Sequence, residues 1–242
     1  MYKNNKLAVI TIHKGDIRDL IMTIKSINKQ SIFPDLHLVM INHRSFNPSI
    51  NLKRNKRQII ISKDSSLYNA MNLALKKTFN YNVIFINSGD ELSGYKSIKK
   101  IKSKLSINKC LIFKTKIIHK KVTFYPKESF FLSDKYMPHP SFVRPPIRNK
   151  KEIILLNEKL KIAADGDWMR ENIKIFGKRK IPYFTSKFYT GGFSTNPSIA
   201  SVKIQLNYKI TEGLKEGIKF ILSKIFKEKY YKIIFRNNFY TR

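Results

Sequence analysis

The feature that most constrains the fold is a repeated alternation of buried strands and amphipathic helices. Residues 7–12 form an unbroken, largely β-branched run, which is typical of a strand covered on both faces. Asp16 follows as a candidate helix cap, and apolar residues then recur at helical spacing from Ile17 to Ile27. The pattern continues with predicted strands at 36–41, 58–62 and 83–86 and a predicted helix at 67–79. It indicates an α/β fold with a mostly parallel central sheet flanked by helices.

The second half of the chain is less regular. It contains a predicted helix at 95–105, strands at 111–118 and 122–125, and a Pro-rich loop at 137–146. A further helix is predicted at 164–176, followed by a short strand or turn near 181–184.

The net charge is unusual for a chain of this length. The 242 residues include 48 Lys and Arg against 16 Asp and Glu, a formal charge of +32. A rich content of Lys, Asn and Ile indicates that part of this excess is compositional bias. The rest of the positive charge favours binding to a polyanion: nucleic acid, an anionic membrane surface or a phosphate-bearing substrate.

The single cysteine, Cys110, excludes an internal disulfide and favours a reducing compartment. The polar start of the chain has no signal-peptide pattern, and no apolar run is long enough to span a bilayer. We therefore expect a cytoplasmic protein that lies on a membrane if it binds one.

Carboxylates are scarce, so their positions are informative. Asp90 follows the strand at 83–86 through Asn87, Ser88 and Gly89, at the edge of a parallel sheet where ligands gather. A carboxylate there suits Mg²⁺ or Mn²⁺ shared with substrate phosphates. A turn or capping role for Asp90 is the structural alternative.

Two further polar clusters lie at element ends. Asp165 and Asp167 precede the only tryptophan, Trp168, at a predicted helix start, where a carboxylate can serve as a general base or simply cap the helix. Asp64 lies at a strand exit that leads into the helix at 67–79.

Two of these segments resemble the paired motifs of bacterial family-2 glycosyltransferases. Residues 67–72 read Leu-Tyr-Asn-Ala-Met-Asn and residues 85–90 read Phe-Ile-Asn-Ser-Gly-Asp, in the family's order and separation. Segments 162–170 and 191–194 are also similar to family motifs. The resemblance implies a GT-A, Rossmann-like fold for nucleotide-diphospho-sugar transfer over residues 1–200. Its nucleotide-binding half would span 1–94 and its acceptor-binding half 95–200, with a basic helical extension at 201–242.

The resemblance also implies roles for individual residues. Asp90 would hold Mn²⁺ or Mg²⁺ on the donor diphosphate, and Asp165 would deprotonate the acceptor hydroxyl in an inverting transfer. His139, Asp167 and Trp168 would lie on the acceptor or diphosphate side, although a packing role for His139 is equally open. The expected nucleotide-binding residues are Thr11, His13, Asn42, Asp64, Asn72, Asn87 and Ser88.

One departure from the family pattern is Asn42, which stands where the family usually has an Asp. The loss of the Asp charge puts recognition of the donor nucleobase, or activity itself, in doubt. A catalytically degenerate scaffold is therefore one alternative function. A nucleic-acid-binding protein is another, because Tyr and Phe are interleaved with Lys. That alternative leaves the carboxylate clusters unexplained, so we expect no nucleic-acid partner. Lys63, Arg44 and Arg144 are candidate cations for the diphosphate.

The tail from 201 to 242 combines apolar and basic residues at helical spacing. Its apolar positions include Leu214, Ile218 and Ile221, and its lysines fall largely elsewhere around the helix. Such a helix either settles on an anionic membrane or packs its apolar face on the catalytic domain. With a UDP-sugar donor and a lipid-linked or cell-surface glycan acceptor, as the resemblance implies, the expected location is the inner face of the cytoplasmic membrane.

Overall fold

The structure is a computed structural model that describes residues 5–46, 52, 54–62, 66–160, 163–190, 202, 210–226 and 235–241. The described strands form one mixed sheet with helices packed on both faces, so the predicted α/β class is confirmed. No helix within these ranges has the length and apolarity that crossing a bilayer requires.

The first half of the chain forms the parallel part of the sheet. Its strands lie in the order β4-β1-β2-β3, and each neighbouring pair is parallel. The predicted strands and helices of this half are confirmed within a few residues. Their bounds are β1 Leu7–His13, α1 Ile17–Asn28, β2 Leu36–Asn42, β3 Arg57–Ser62, α2 Leu67–Lys77 and β4 Asn82–Phe85.

The second half extends the same sheet, mostly in antiparallel fashion. Its elements are β5 Glu91–Leu92, α3 Ser97–Lys102, β6 Cys110–His119, β7 Val122–Pro126, α4 Glu128–Leu132, β8 Phe142–Arg144, α5 Ala164–Phe176, β9 Lys178–Tyr189, α6 Ile210–Phe226 and β10 Phe239–Thr241. The helices predicted at 95–105 and 164–176 correspond to α3, which is shorter, and α5.

Four strands differ from the sequence-based prediction, one of which is the short β5, where no strand was predicted. The loop predicted at 137–146 contains β8, which lies between β4 and β6 and pairs antiparallel with both. The short strand or turn near 181–184 is part of the longer β9, which runs parallel to β6. Strand β10 of the tail pairs antiparallel with β7, so the tail joins the central sheet. The predicted boundary near residue 200 lies outside the described residues.

Burial on both faces explains the unbroken apolar strands. Alternate residues of β1 point to opposite sides: Ala8 and Ile10 pack in a cluster with residues of α2 and α5, whereas Leu7 and Val9 pack with residues of α1 and α3. A strand covered on both sides has no solvent face on which polar residues would alternate. The carboxyl ends of β1 and β2 carry the polar residues His13 and Asn42, and the candidate site lies at this edge of the sheet.

Candidate active site

The loop at 87–90 leaves the carboxyl end of β4 and is held by α1. Thr23 of α1 donates from Oγ1 to the Asp90 carbonyl at 2.7 Å and accepts from the Gly89 amide at 3.1 Å. Gly89 has φ of +97°, a backbone conformation that glycine adopts readily. Ser26 of α1 and Gln30, just after the helix, bond to backbone groups of Leu92, Gly94 and Ile98. The polar face of α1 thus fixes the position of Asp90.

Asp90 is buried, with a side chain that is 7% exposed. Its Oδ2 lies 3.1 Å from His139 Nε2, and its Oδ1 accepts from the Tyr189 amide at 3.4 Å. His139 lies on a short 3₁₀ turn, His139–Ser141, and packs edge-on against the Phe188 ring with centroids 5.5 Å apart. The end of β9 and this turn therefore close over Asp90.

Asp165 approaches the same histidine from the first turn of α5. Its Oδ2 lies 3.7 Å from His139 Nδ1, and its side chain is 31% exposed. Ala163, just before the helix, has φ of +68°, which is strained for a residue with a Cβ. The Tyr68 hydroxyl of α2 lies close to the backbone of Ala163 and Ala164, at the start of α5. Asp90 and Asp165, far apart in sequence, thus flank one imidazole.

The electrostatics of this group follow from burial and pairing. Burial raises the pKa of Asp90, against the opposing effect of the His139 hydrogen bond. Burial alone would lower the pKa of His139, but the hydrogen bond and charge of Asp90 and the charge of Asp165 raise it. The imidazole therefore favours the protonated form between its two carboxylates.

A small recess lies between the carboxyl ends of β1, β2 and β3 and the start of α2. Its polar lining includes His13, Asn42, Ser62 and Ser66. His13 Nδ1 lies 2.8 Å from Ser88 Oγ, and burial lowers the pKa of His13, which favours a neutral ring. The recess thus connects to the loop at 87–90 through His13 and Ser88.

Asn42 lies at the carboxyl end of β2 and caps a 3₁₀ turn. Its side chain accepts from the Arg44 amide at 3.0 Å, and Arg44 is exposed beside it. Asn87 also faces the site, with Nδ2 3.4 Å from His139 Nε2. The structure therefore brings together six predicted residues around the recess and the carboxylates: His13, Asn42, Asn87, Ser88, Asp90 and Asp165, with His139 between the last two.

Other predicted residues have partners inside the fold. Thr11 is fully buried and donates to the Ile86 carbonyl at 2.9 Å. Asn72 exchanges two hydrogen bonds with the Leu156 backbone. Trp168 packs between Phe85 and Phe142 and donates to the Ile154 carbonyl at 2.9 Å.

Asp167 pairs with Arg170 one turn along α5. Asp64 and Lys63 lie outside the described residues. The suggestion that Arg144 serves the diphosphate is wrong, because Arg144 pairs with Val83 near the amino end of β4 and donates to the carbonyls of residues 78, 79 and 81.

The side chains around Asp90 suit a cation that is bound partly by the protein and partly by a substrate. Within the described ranges, no group of three or more His, Cys, Asp or Glu side chains is arranged to bind a metal. Asp90 offers a single carboxylate beside an imidazole. Mg²⁺ commonly binds through one or two carboxylates completed by phosphate oxygens and water, so Asp90 suits a shared cation better than a cation held by protein alone.

Sequence reasoning missed the part of the site that β9 contributes. Tyr189 donates through its amide to Asp90, and its hydroxyl donates to Glu91 Oε2 at 2.6 Å. Lys187 donates to the same Glu91 oxygen at 3.0 Å. These contacts join residues almost a hundred positions apart through the pairing of β5 with β9, and no local pattern marks them.

Comparisons with known proteins identify the fold. No protein-family model and no curated protein gives a match. Among solved structures, S. aureus TarS 1-349 in complex with UDP has a TM-score of 0.60 at 15% identity, over 93% of this chain and 73% of that one. Its complex with UDP-GlcNAc gives a TM-score of 0.60 at 14% identity, over 93% and 74%. The chain spans 43% of a longer TarS structure. The protein therefore has the TarS fold, which is the GT-A fold that the sequence motifs implied.

Proposed function

We propose that the protein is a glycosyltransferase that moves a sugar from a nucleotide-sugar donor to an acceptor hydroxyl. The observation that carries this proposal is the convergence of Asp90 and Asp165 on His139, at the carboxyl edge of the parallel strands. In a GT-A fold this edge is where a nucleotide diphosphate is expected. The complexes of TarS with UDP and UDP-GlcNAc support a uridine nucleotide as the donor.

The recess beside the carboxylates is the proposed nucleotide site. Its amide and hydroxyl groups, from Asn42, Ser62 and Ser66, suit a base and a ribose, which are recognised through directional hydrogen bonds. His13 and Ser88 then lie between this recess and Asp90, in position to contact the ribose or the first phosphate. Asn42 donates and accepts hydrogen bonds without charge, so base recognition does not require an Asp at this position.

Asp90 is the proposed contact to the donor diphosphate. A divalent cation, Mn²⁺ or Mg²⁺, bound there would supply positive charge to the leaving nucleoside diphosphate. Thr23, His139 and Tyr189 hold the Asp90 backbone and carboxylate in one position. A carboxylate fixed in this way requires little reorganisation when charge develops on the leaving group.

Asp165 is the proposed general base. It accepts the proton of the acceptor hydroxyl while that oxygen attacks the anomeric carbon and the bond to the diphosphate breaks, with inversion at the carbon. It lies in the first turn of α5, next to the partial positive charge of the helix N-terminus. The partial exposure of its side chain leaves room for an acceptor. The acceptor class that we propose is a lipid-linked or cell-surface glycan.

The test replaces each carboxylate by its amide. Asp165→Asn should lower the release of UDP from a UDP-sugar by at least about 100-fold, as expected on loss of a general base, and should leave UDP binding unchanged. Asp90→Asn should instead weaken UDP binding in the presence of Mn²⁺. Turnover would be measured over a panel of UDP-sugars that includes UDP-GlcNAc, and UDP affinity by calorimetry with and without Mn²⁺.

The matched control is Asp134→Asn, which removes an exposed carboxylate paired with Lys178 away from the site. It should keep wild-type turnover and affinity. Unchanged turnover in Asp165→Asn would remove that residue from the mechanism. A wild-type protein that binds no uridine nucleotide would favour the degenerate scaffold, and salt-sensitive retardation of DNA without UDP-sugar turnover would favour nucleic-acid binding.

A further inference from the structure

Helix α6 carries an apolar stripe that faces solvent. Leu214, Ile218 and Ile221 are 60%, 59% and 57% exposed. Their spacing of four and three residues places them on one side of a helix with 3.6 residues per turn. The predicted alternative, in which this face packs on the catalytic domain, does not hold for these three residues. A contiguous exposed patch of large aliphatic side chains indicates a surface that meets an apolar partner.

Lysines flank the stripe. Lys215, Lys219 and Lys224 are exposed, and helical spacing places the first two on one side of the stripe and the third on the other. The whole chain carries a net charge of +32, so the surroundings repel a cationic partner and attract an anionic one.

The helix is held against the sheet next to this stripe. Leu222 packs on the cluster formed by Phe124 and Phe239, and Phe239 belongs to β10, which pairs with β7. Strand β10 follows α6 in the chain and returns to the sheet. The exposed stripe therefore has a defined orientation relative to the catalytic domain.

We infer that α6 lies in the interface of an anionic lipid bilayer, with Leu214, Ile218 and Ile221 inserted among the acyl chains and the flanking lysines at the headgroups. Apolar insertion and attraction of lysines to anionic lipid act together in such helices. As described, the helix spans Ile210–Phe226 and lacks the length and apolarity that crossing a bilayer requires. The inference does not depend on the proposed transferase activity, since it concerns a different surface.

The experiment measures sedimentation of the full chain with vesicles of phosphatidylcholine containing phosphatidylglycerol. Wild type should sediment with these vesicles and remain in the supernatant with pure phosphatidylcholine. The triple variant Leu214→Ser, Ile218→Ser, Ile221→Ser should bind at least about tenfold more weakly, because apolar burial supplies part of the affinity. Replacing Lys215, Lys219 and Lys224 by Gln should weaken binding to the anionic vesicles and reduce its salt dependence.

The matched control removes three exposed apolar residues elsewhere. Tyr95, Leu132 and Ile175 are 64%, 60% and 66% exposed and lie in the turn before α3, in α4 and in α5. Their simultaneous replacement by Ser leaves the charge unchanged and should leave vesicle binding unchanged. Circular dichroism of each variant establishes that it is folded.

Three outcomes would overturn the inference. The first is a wild-type chain that does not sediment with anionic vesicles, and the second is a stripe variant that binds as well as wild type. The third is a wild-type protein that forms a dimer in lipid-free buffer, where the stripe variant is monomeric and added lipid does not change the dimer. In that case a second copy of the chain covers the stripe. Because UDP binding is measured separately, failure here leaves the proposed function untouched.

Discussion

The buried side chain of His37 links Arg57 of β3 to the residue that precedes the loop at 87–90. Arg57 donates from Nε to His37 Nδ1 at 2.9 Å, and a guanidinium can only donate, so Nδ1 carries no proton. His37 Nε2 then donates to Thr11 Oγ1 at 3.0 Å, and Thr11 donates to the Ile86 carbonyl at 2.9 Å. Ile86 directly precedes the loop that carries Asp90. This network requires a neutral imidazole.

The acid sensitivity of the fold should depend on His37. Burial, followed by the charges of Arg57 and Arg54, lowers the pKa of His37 well below 6.5. The unfolded chain therefore takes up this proton below about pH 6.5 while the native state does not, and stability falls with pH by up to about 1.4 kcal/mol per pH unit from this group. In His37→Gln this contribution should be absent.

Urea denaturation of both proteins at pH 7.5, 6.0 and 5.0 checks this prediction. The difference in unfolding free energy between wild type and His37→Gln should shift in favour of the variant as the pH falls. A difference that stays constant over this range would mean that His37 binds the same number of protons in both states.

The sequence predicts helices and strands correctly where residues close together in the chain determine them. Asp16 and Ser66 cap α1 and α2 through their side chains, and the apolar spacing of both helices matches their buried faces. β8 has only three residues and is stabilised by β4 and β6 on either side, which no local pattern reveals. Likewise, sequence motifs indicated Asp90, His139 and Asp165 as candidates, but their contact depends on the packing of a turn and a helix from the second half of the chain.

Helix α1 acts on the site through Thr23. Thr23→Val keeps the side-chain shape but removes the hydrogen bonds to the Asp90 carbonyl and from the Gly89 amide. Buried backbone groups left without partners should cost about 1–3 kcal/mol of folding stability. The loop should also lose its fixed position, so UDP binding in Mn²⁺ should weaken. Chemical denaturation and calorimetry measure the two effects.

Thr78→Val is the matched control for this prediction. Thr78 is also fully buried, but its hydroxyl donates to the Ala74 carbonyl one turn back along α2, away from the loop at 87–90. It should affect stability alone. If Thr23→Val lowered stability but left UDP affinity at the wild-type value, α1 would support the fold without positioning Asp90.

At the scale of the whole molecule, strand β10 joins the tail to the central sheet. β10 extends the sheet beyond β7, and the Lys127 amide donates to the Asn238 carbonyl at 2.9 Å beside this pairing. The tail predicted as an appendage thus contributes the edge strand β10 to the central sheet, while α6 directs an apolar stripe to solvent. Ten strands from the described residues form one sheet that joins the two halves of the chain.

The stability that the tail adds to this sheet should come mainly from the buried face of β10, which carries Phe239. Phe239 is 7% exposed and its ring lies 5.0 Å from that of Phe235 and 5.2 Å from that of Phe130, whereas Tyr240 is 38% exposed and stacks on Tyr125. Phe239→Ala should lower the unfolding free energy by about 3 kcal/mol, because it leaves a cavity in this cluster. Tyr240→Ala, on the next position of the same strand, should cost about 1 kcal/mol, as expected for a partly exposed aromatic pair. Urea denaturation of both variants measures the difference, and equal losses would mean that β10 does not anchor the tail through Phe239.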